Sequence, residues 1–213
     1  MTSEDLRFDL LVVFESFSKS LGDEDNDIKL NDYLSSYQEL NKFFNLMGAV
    51  FGFVSKDLQS KIDILSDLQK QNSNNFDTAK KMIEYEKNCN LLHKNGYTSG
   101  SRTLLRLHRG LDFIRLFLKS VGELKNHETT ANVCREAYNI TLAKYHPFLI
   151  RKGAQIAMYT MPTRQELLKK VCGNDDEYIE STINILPKTL EVTAVVYERI
   201  ENLYSFYNLH DLP

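Results

Sequence analysis

Tryptophan is absent from this chain of 213 residues, although tyrosine (11) and phenylalanine (12) are plentiful. No ligand here can be stacked on an indole. Prolines number four and glycines nine, few breakers for the length, which favours long helices. The three cysteines, Cys89, Cys134 and Cys172, are odd in number and match no zinc or CxxC spacing, so they read as reduced thiols of a cytosolic protein. The five histidines, at positions 93, 108, 127, 146 and 210, show no metal-ligand spacing. GxGxxG and GxxxxGK[ST] are both missing, and no nucleophile motif accompanies a histidine. Metal, cofactor and covalent chemistry are therefore not expected. No apolar run approaches the ~18 residues of a membrane span, and MTSEDLRFDLLVVF lacks a basic leader. A net charge of −3 argues against a broad nucleic-acid surface. With 42% hydrophobic and 26% charged residues, the composition is that of a soluble globular protein.

What is present is helical periodicity. Residues 4–20 form an amphipathic stretch, GDEDND at 22–27 an acidic turn, and 30–70 a long helix kinked near Gly48 and Gly52. Helices are predicted over 77–93, 99–124 and 130–145. Pro147 starts another that Pro162 closes. Thr163 opens a short helix with Glu166 in the capping-box position, and two last helices, 176–186 and 188–207, flank Pro187. No β-alternation, repeat or linker interrupts the pattern, so residues 1–213 are expected to form one domain.

Charges interrupt this pattern in two places. In segment 99–124, Leu104, Leu107, Leu111, Ile114 and Leu118 form one apolar stripe, and Leu105, Phe113, Leu116 and Phe117 a second. Arg102, Arg106 and Arg109 lie in line with the second, while His108, Asp112, Arg115 and Lys119 supply a separate polar face. In segment 43–68, Asp57 and Lys61 interrupt a face built from Phe43, Leu46, Val50, Phe53, Val54, Ile64 and Leu68. Charges in apolar stripes need partners or a ligand, because an unpaired buried charge is costly. Four cations against one carboxylate suggest an anionic ligand. The apolar continuation of both faces gives that ligand a greasy part. Arg102 and Arg106, one turn apart, can grip a phosphate through charge-assisted bonds.

His146 precedes Pro147 at a helix junction, and a lone histidine is more often structural than functional. The helix after it, HPFLIRKGAQIAMYTMP, combines Phe148, Ile150, Ile156, Met158, Tyr159 and Met161 with Arg151 and Lys152. That mixture fits either an ordinary packed helix or an interfacial element.

Three runs carry a family resemblance: NDYLSSYQELNKFFNLMGAVFGFVSKDLQSKI, SGSRTLLRLHRGLDFIRLFL and AYNITLAKYHPFLIRKGAQIAMYTMP. With their order and spacing of Asp, Arg and His, the chain resembles the glycolipid transfer protein superfamily from about residue 8 to 207. The resemblance implies an all-α, two-layer helical sandwich of about eight helices. That fold encloses one apolar pocket for ceramide chains, with a polar headgroup site at its mouth. Glycolipid-specific members carry a tryptophan platform in the pattern LLWLKRGL, where this chain reads LLRLHRGL and places Arg106. Their asparagine four residues after the headgroup aspartate is Lys61 here. A sugar needs stacking and neutral hydrogen bonds, whereas a phosphomonoester needs cations. Both exchanges favour the ceramide-1-phosphate branch.

On that resemblance, Asp57 accepts the ceramide amide N–H and His146 donates to the amide carbonyl. Lys61, Arg102 and Arg106 bind the phosphate. Arg109 falls in the adjacent slot and receives no ligand contact. Phe43, Val50, Phe51, Val54, Phe113, Leu118 and Leu149 are the candidate chain-pocket residues, and Phe148 and Tyr159 the candidate membrane contacts. The implied protein is a monomeric cytosolic carrier that touches membranes transiently and moves ceramide-1-phosphate without catalysis, cofactor or metal. Its rivals are a glycolipid carrier of the same fold, a lipid-phosphate sensor acting through a protein partner, and a hydrolase using His146 and Asp57. The absent tryptophan and Lys61 count against the first.

Overall fold

The structure, a computed structural model, describes residues 7–22, 26–48 and 51–213. Nine α-helices are described: α1 (Leu10–Ser20), α2 (Leu30–Leu46), α3 (Gly52–Gln71), α4 (Ala79–Asn88), α5 (Gly100–Glu123), α6 (Ala131–Thr141), α7 (Phe148–Tyr159), α8 (Arg164–Cys172) and α9 (Asp176–Tyr207). A short 3-10 turn, Ala143–Tyr145, joins α6 to α7. Among the described residues, β-pairing is limited to two isolated bridges, Lys29 with Thr78 and Thr129 with Thr163.

Side chains set several helix starts. Asp9 caps α1 by accepting from the Leu11 amide at 2.9 Å, and Asp175 caps α9 through the Tyr178 amide at 3.2 Å. The capping box expected at α8 is present, with the Glu166 carboxylate accepting from the Thr163 amide at 2.9 Å. Glu86 is fully buried and holds the start of α5. Its carboxylate accepts from the Gly100 and Ser101 amides at 2.6 and 2.9 Å and from the Ser99 hydroxyl at 2.6 Å. An anion at a helix N-terminus is favoured by the orphan amides and the macrodipole. Gly100 has no room for a side chain there, since a Cβ would lie 2.5 Å from Met82 Sδ.

α5 is the organising element. It packs on α3, α4, α6 and α9, while α1 packs on α2 and α9, and α2 on α3 and α8. The helices form a two-layer sandwich whose buried residues make one core cluster, drawn from along the described chain between Phe8 and Leu212. Tyr33, Tyr37 and Phe17 are completely buried within it, with Tyr33 and Tyr37 ring centroids 4.9 Å apart.

The structure revises several sequence boundaries. The long 30–70 helix is broken rather than kinked. α2 stops at Leu46, Gly48 turns with φ +95°, and α3 restarts at Gly52. Lys170 of α8 donates to the Met47 carbonyl at 3.1 Å, satisfying an acceptor that the break releases. α1 starts at Leu10 rather than residue 4, and residues 1–6 lie outside the described set. The expected 77–93 and 130–145 helices end earlier, at Asn88 and Thr141. At the C-terminal end, the break expected at Pro187 does not occur, and α9 runs 32 residues straight through it. Pro187 is exposed, so its ring meets no packed neighbour that would force a break. Packing of Thr182, Thr189, Val196 and Ile200 on the neighbouring helices outweighs the ~3 kcal/mol cost of an interior proline.

The expected polar face of α5 is also different. His108 is only 2% exposed, stacks on Tyr197 at 4.3 Å and lies 2.6 Å from Glu201 on α9. Arg115 sits over the same Tyr197 ring at 5.0 Å. At His108 and Arg115 this side of α5 is a helix–helix seam, while Lys119 stays exposed as expected.

Candidate functional site

α3 and α5 run beside each other and present their interrupting charges to one cavity of about 660 Å³. From α3, the i, i+3, i+4, i+7 set Val54, Asp57, Leu58 and Lys61 faces it. From α5 come Arg106, Arg109, Gly110, Phe113, Ile114 and Phe117. α2 adds Phe43 and Phe44, with Met47 just past its end; α6 adds Cys134 and Tyr138; α7 adds Ile150, Ala154, Ala157 and Met158. The polar members Asp57, Lys61, Arg106, Arg109 and His146 share this lining with a body of aliphatic and aromatic side chains. A cavity of this kind suits an amphiphile with an anionic head.

The charges differ in how far they are engaged. Lys61 donates to Asp57 one turn before it. Its side chain is 14% exposed against 66% for Asp57, so the lysine stem lies along the apolar wall while the carboxylate stays open. Arg109 donates to the His210 carbonyl at 2.7 Å, and its guanidinium lies 4.2 Å from the Tyr145 ring centroid. Arg106 is exposed, and no hydrogen bond, ion pair or ring contact ties it to another described residue. Arg102 stands one turn before Arg106 and donates to the Tyr97 carbonyl. It is not among the residues that line the cavity.

His146 follows the 3-10 turn and is half-buried. The Tyr138 hydroxyl lies 2.9 Å from its Nδ1. Burial holds the His146 pKa below the usual 6.5, with Lys61 acting the same way and Asp57 opposing. The imidazole is therefore neutral at pH 7, with one donor and one acceptor nitrogen.

Residues 28–173 match the family model described as Glycolipid transfer protein. Over 211 residues the chain is 38% identical to a ceramide-1-phosphate transfer protein of Danio rerio, covering 97% of this chain and 98% of that one. A crystal structure of the mouse ceramide-1-phosphate transfer protein in its apo-form superposes with a TM-score of 0.88 at 33% identity, covering 97% of this chain and 100% of that chain. The human ceramide-1-phosphate transfer protein in complex with 12:0 ceramide-1-phosphate gives a TM-score of 0.84 at 33% identity, with the same coverage.

The chain belongs to the glycolipid transfer protein family. Within the family it falls on the ceramide-1-phosphate transfer protein branch. The all-α, two-layer sandwich is the fold of those relatives.

The structure gathers four of the five candidate headgroup residues, Asp57, Lys61, Arg106 and His146, at the cavity, while Arg102, one turn before Arg106, does not line it and donates to the Tyr97 carbonyl. Among the candidate chain-pocket residues, Phe43, Phe51, Val54 and Phe113 line the cavity. Val50 lies outside the described residues. Leu118 does not line it and faces a second, smaller cavity of about 50 Å³ with Phe8, Leu10 and Leu167, because it points to the opposite side of α5 from Phe113. Leu149 does not line it either and is 80% exposed, because the first turn of α7 directs it outward. Phe148 and Tyr159 are 61% and 68% exposed on the same helix. Lys152 lies 5.5 Å from the Phe148 ring, and Arg135 of α6 lies 4.8 Å from the Tyr159 ring.

Sequence patterning missed Tyr138, Tyr145 and Pro213 as lining residues. Tyr138 and His146 are eight residues apart across a 3-10 turn, so no helical period relates them. Pro213 reaches the cavity from beyond the end of α9, and only tertiary structure could place it there.

Proposed function

We propose that the protein carries ceramide-1-phosphate between membranes, as one non-enzymatic, monomeric lipid-transfer domain spanning residues 1–213. The observation that carries this reading is the cluster of Lys61, Arg106 and Arg109 with Asp57 and His146 at an otherwise apolar cavity. Phosphate is a dianion or monoanion near pH 7, and guanidinium and ammonium donors hold it through charge-assisted hydrogen bonds. Lys61, Arg102 and Arg106 take this role. Asp57 accepts the amide N–H, and His146 donates to the amide carbonyl.

The chains enter the cavity beside Phe43, Phe51, Val54 and Phe113. Protein replaces bilayer around them, so each CH₂ keeps the ~0.8 kcal/mol it would lose in water. Extraction is then close to neutral overall, and the gain is a lower barrier than escape of free lipid into water. α7 carries Phe148, Leu149, Ile156 and Tyr159 exposed beside Arg151 and Lys152, an arrangement suited to the headgroup zone of an anionic membrane. No helix among the described residues is long and apolar enough to cross a membrane. The reading is of a cytosolic carrier that visits membrane surfaces.

Two relatives support the substrate: the Danio rerio protein is a ceramide-1-phosphate transfer protein, and the human one is held with 12:0 ceramide-1-phosphate. Arg106 at the position of the tryptophan platform disfavours a sugar headgroup. The test is transfer of fluorescent ceramide-1-phosphate and fluorescent galactosylceramide between vesicles. Fast transfer of the phosphate lipid alone is expected. Equal transfer of both lipids sinks the headgroup assignment, and binding without transfer points instead to a sensor acting through a partner.

A further inference from the structure

Tyr138 belongs to the wall of the cavity, is 4% exposed, and meets Phe113 edge-on at 6.5 Å. Its hydroxyl is 2.9 Å from His146 Nδ1, with the two rings tilted 40° to each other. A neutral imidazole carries one proton, on Nδ1 or on Nε2, and the partner of one nitrogen decides which. If Nδ1 held the proton, the phenol would accept it and its own O–H would need a second acceptor. Among the described residues the hydroxyl has no other hydrogen bond. A buried donor without a partner is expensive. If the phenol donates to Nδ1, that cost vanishes and the ring proton sits on Nε2.

We propose that Tyr138 is a positioning residue that fixes His146 as the Nε2–H tautomer and so turns a donor, not a lone pair, toward the lipid amide carbonyl. The inference rests on the headgroup reading given above and extends it to a residue outside the charged cluster. Burial raises the Tyr138 pKa, so the phenol keeps the proton it must donate. The pair then offers complementary chemistry: the Asp57 carboxylate for the amide N–H, and Nε2–H for the amide oxygen. A lipid with an ester in place of the amide satisfies only the second of these.

The test combines ¹⁵N NMR of histidine-labelled full-length protein with equilibrium binding of short-chain ceramide-1-phosphate. His146 signals are assigned by their loss in His146→Gln. In the unmodified protein, Nδ1 is expected as the unprotonated nitrogen and Nε2 as the protonated one. Tyr138→Phe, which keeps the ring and its packing, is expected to mix the two tautomers. It should also weaken binding by about 3- to 10-fold, the range for one lost hydrogen bond. In a His146→Ala background the same substitution should change binding less than about twofold, because the residue it positions is gone. An Nδ1–H tautomer in the unmodified protein, or an equal Tyr138→Phe loss in both backgrounds, overturns the inference alone. If His146→Ala binds ceramide-1-phosphate as well as the unmodified protein, the headgroup role of His146 fails, and the inference falls with it.

Discussion

Replacing Arg106 by leucine is expected to weaken ceramide-1-phosphate binding more than loss of any other cation near the cavity. The ranking comes from how far each cation is already engaged. Lys61 shares its ammonium with Asp57, Arg102 is drawn to the Tyr97 carbonyl, and Arg109 is held by the His210 carbonyl and the Tyr145 ring. Arg106 has no such partner among the described residues, so all its donors remain for a ligand. Two charge-assisted bonds at about 1.5–3 kcal/mol each give a gross loss of about 3–6 kcal/mol. Arg106 is exposed, and screening together with take-up by Lys61 reduces this to about 2–4 kcal/mol, or about 30- to several-hundred-fold in affinity.

The same exposure makes the experiment clean. An unpaired surface arginine contributes within about 0.5 kcal/mol to folding, so the thermal midpoint should hardly move. Equilibrium binding and vesicle transfer of 12:0 ceramide-1-phosphate are measured on both proteins at low and high salt. Transfer should be lost in the variant, and the gap between the two proteins should shrink near 1 M salt, where the Debye length is about 3 Å. A folded Arg106→Leu protein that binds within about threefold of the unmodified one refutes the reasoning.

Two further outcomes follow from other parts of the structure. Phe148→Ala with Tyr159→Ala should leave binding of a water-soluble short-chain lipid unchanged but slow vesicle transfer by about tenfold or more, since partial burial of two rings is worth about 2 kcal/mol; equal transfer by both proteins removes the membrane role of α7. The protein should also lose stability on acidification. Burial holds the His108 pKa below 6.5 in the folded state, while the unfolded chain takes up the proton near 6.5. The unfolded state thus binds more protons, so this contribution is complete above about pH 6.5 and is lost as pH falls toward the folded value. Denaturant unfolding at about pH 7.5 and 5.5 should show the drop, smaller in His108→Gln, and stability that rises on acidification contradicts the assignment.

The helical class was legible because few breakers interrupt long 3.6-residue periods, and Thr163 with Glu166 marked one start in plain terms. Asp57, Lys61 and Arg106 were legible for the opposite reason: they violate the period that surrounds them. What failed was any judgement that depended on a neighbouring helix. Pro187 reads as a break in isolation, but long-range packing on both sides of it holds α9 together. His108 reads as part of a polar face until Tyr197, Tyr204 and Glu201 are set against it. Arg102 shares a stripe with Arg106, yet the Tyr97 carbonyl draws its guanidinium aside. Leu118 sits on an apolar stripe, but α5 is wrapped on several sides, and burial alone does not say which cavity a leucine meets.

α7 failed in a more telling way. Periodicity assumes that one face of a helix seeks the core and the other seeks water. In α7 only Ala154, Ala157 and Met158 are buried, small or flexible side chains that give a weak signal. The large apolar residues, Phe148, Leu149, Ile150, Ile156 and Tyr159, are all exposed. A reading that counts hydrophobicity as burial therefore assigns Leu149 to the cavity, when it is among the most exposed leucines of the chain. The error has a physical source: periodicity counts a large apolar side chain as buried, and on this helix the large ones face outward. Lys152 lies against Phe148 and Arg135 of α6 against Tyr159, the pairing of cation and aromatic ring that the proposed membrane contact would use. Ile150 is exposed and also lines the cavity, so the outward apolar face of α7 adjoins the cavity wall, and that is where the proposed carrier would meet a membrane.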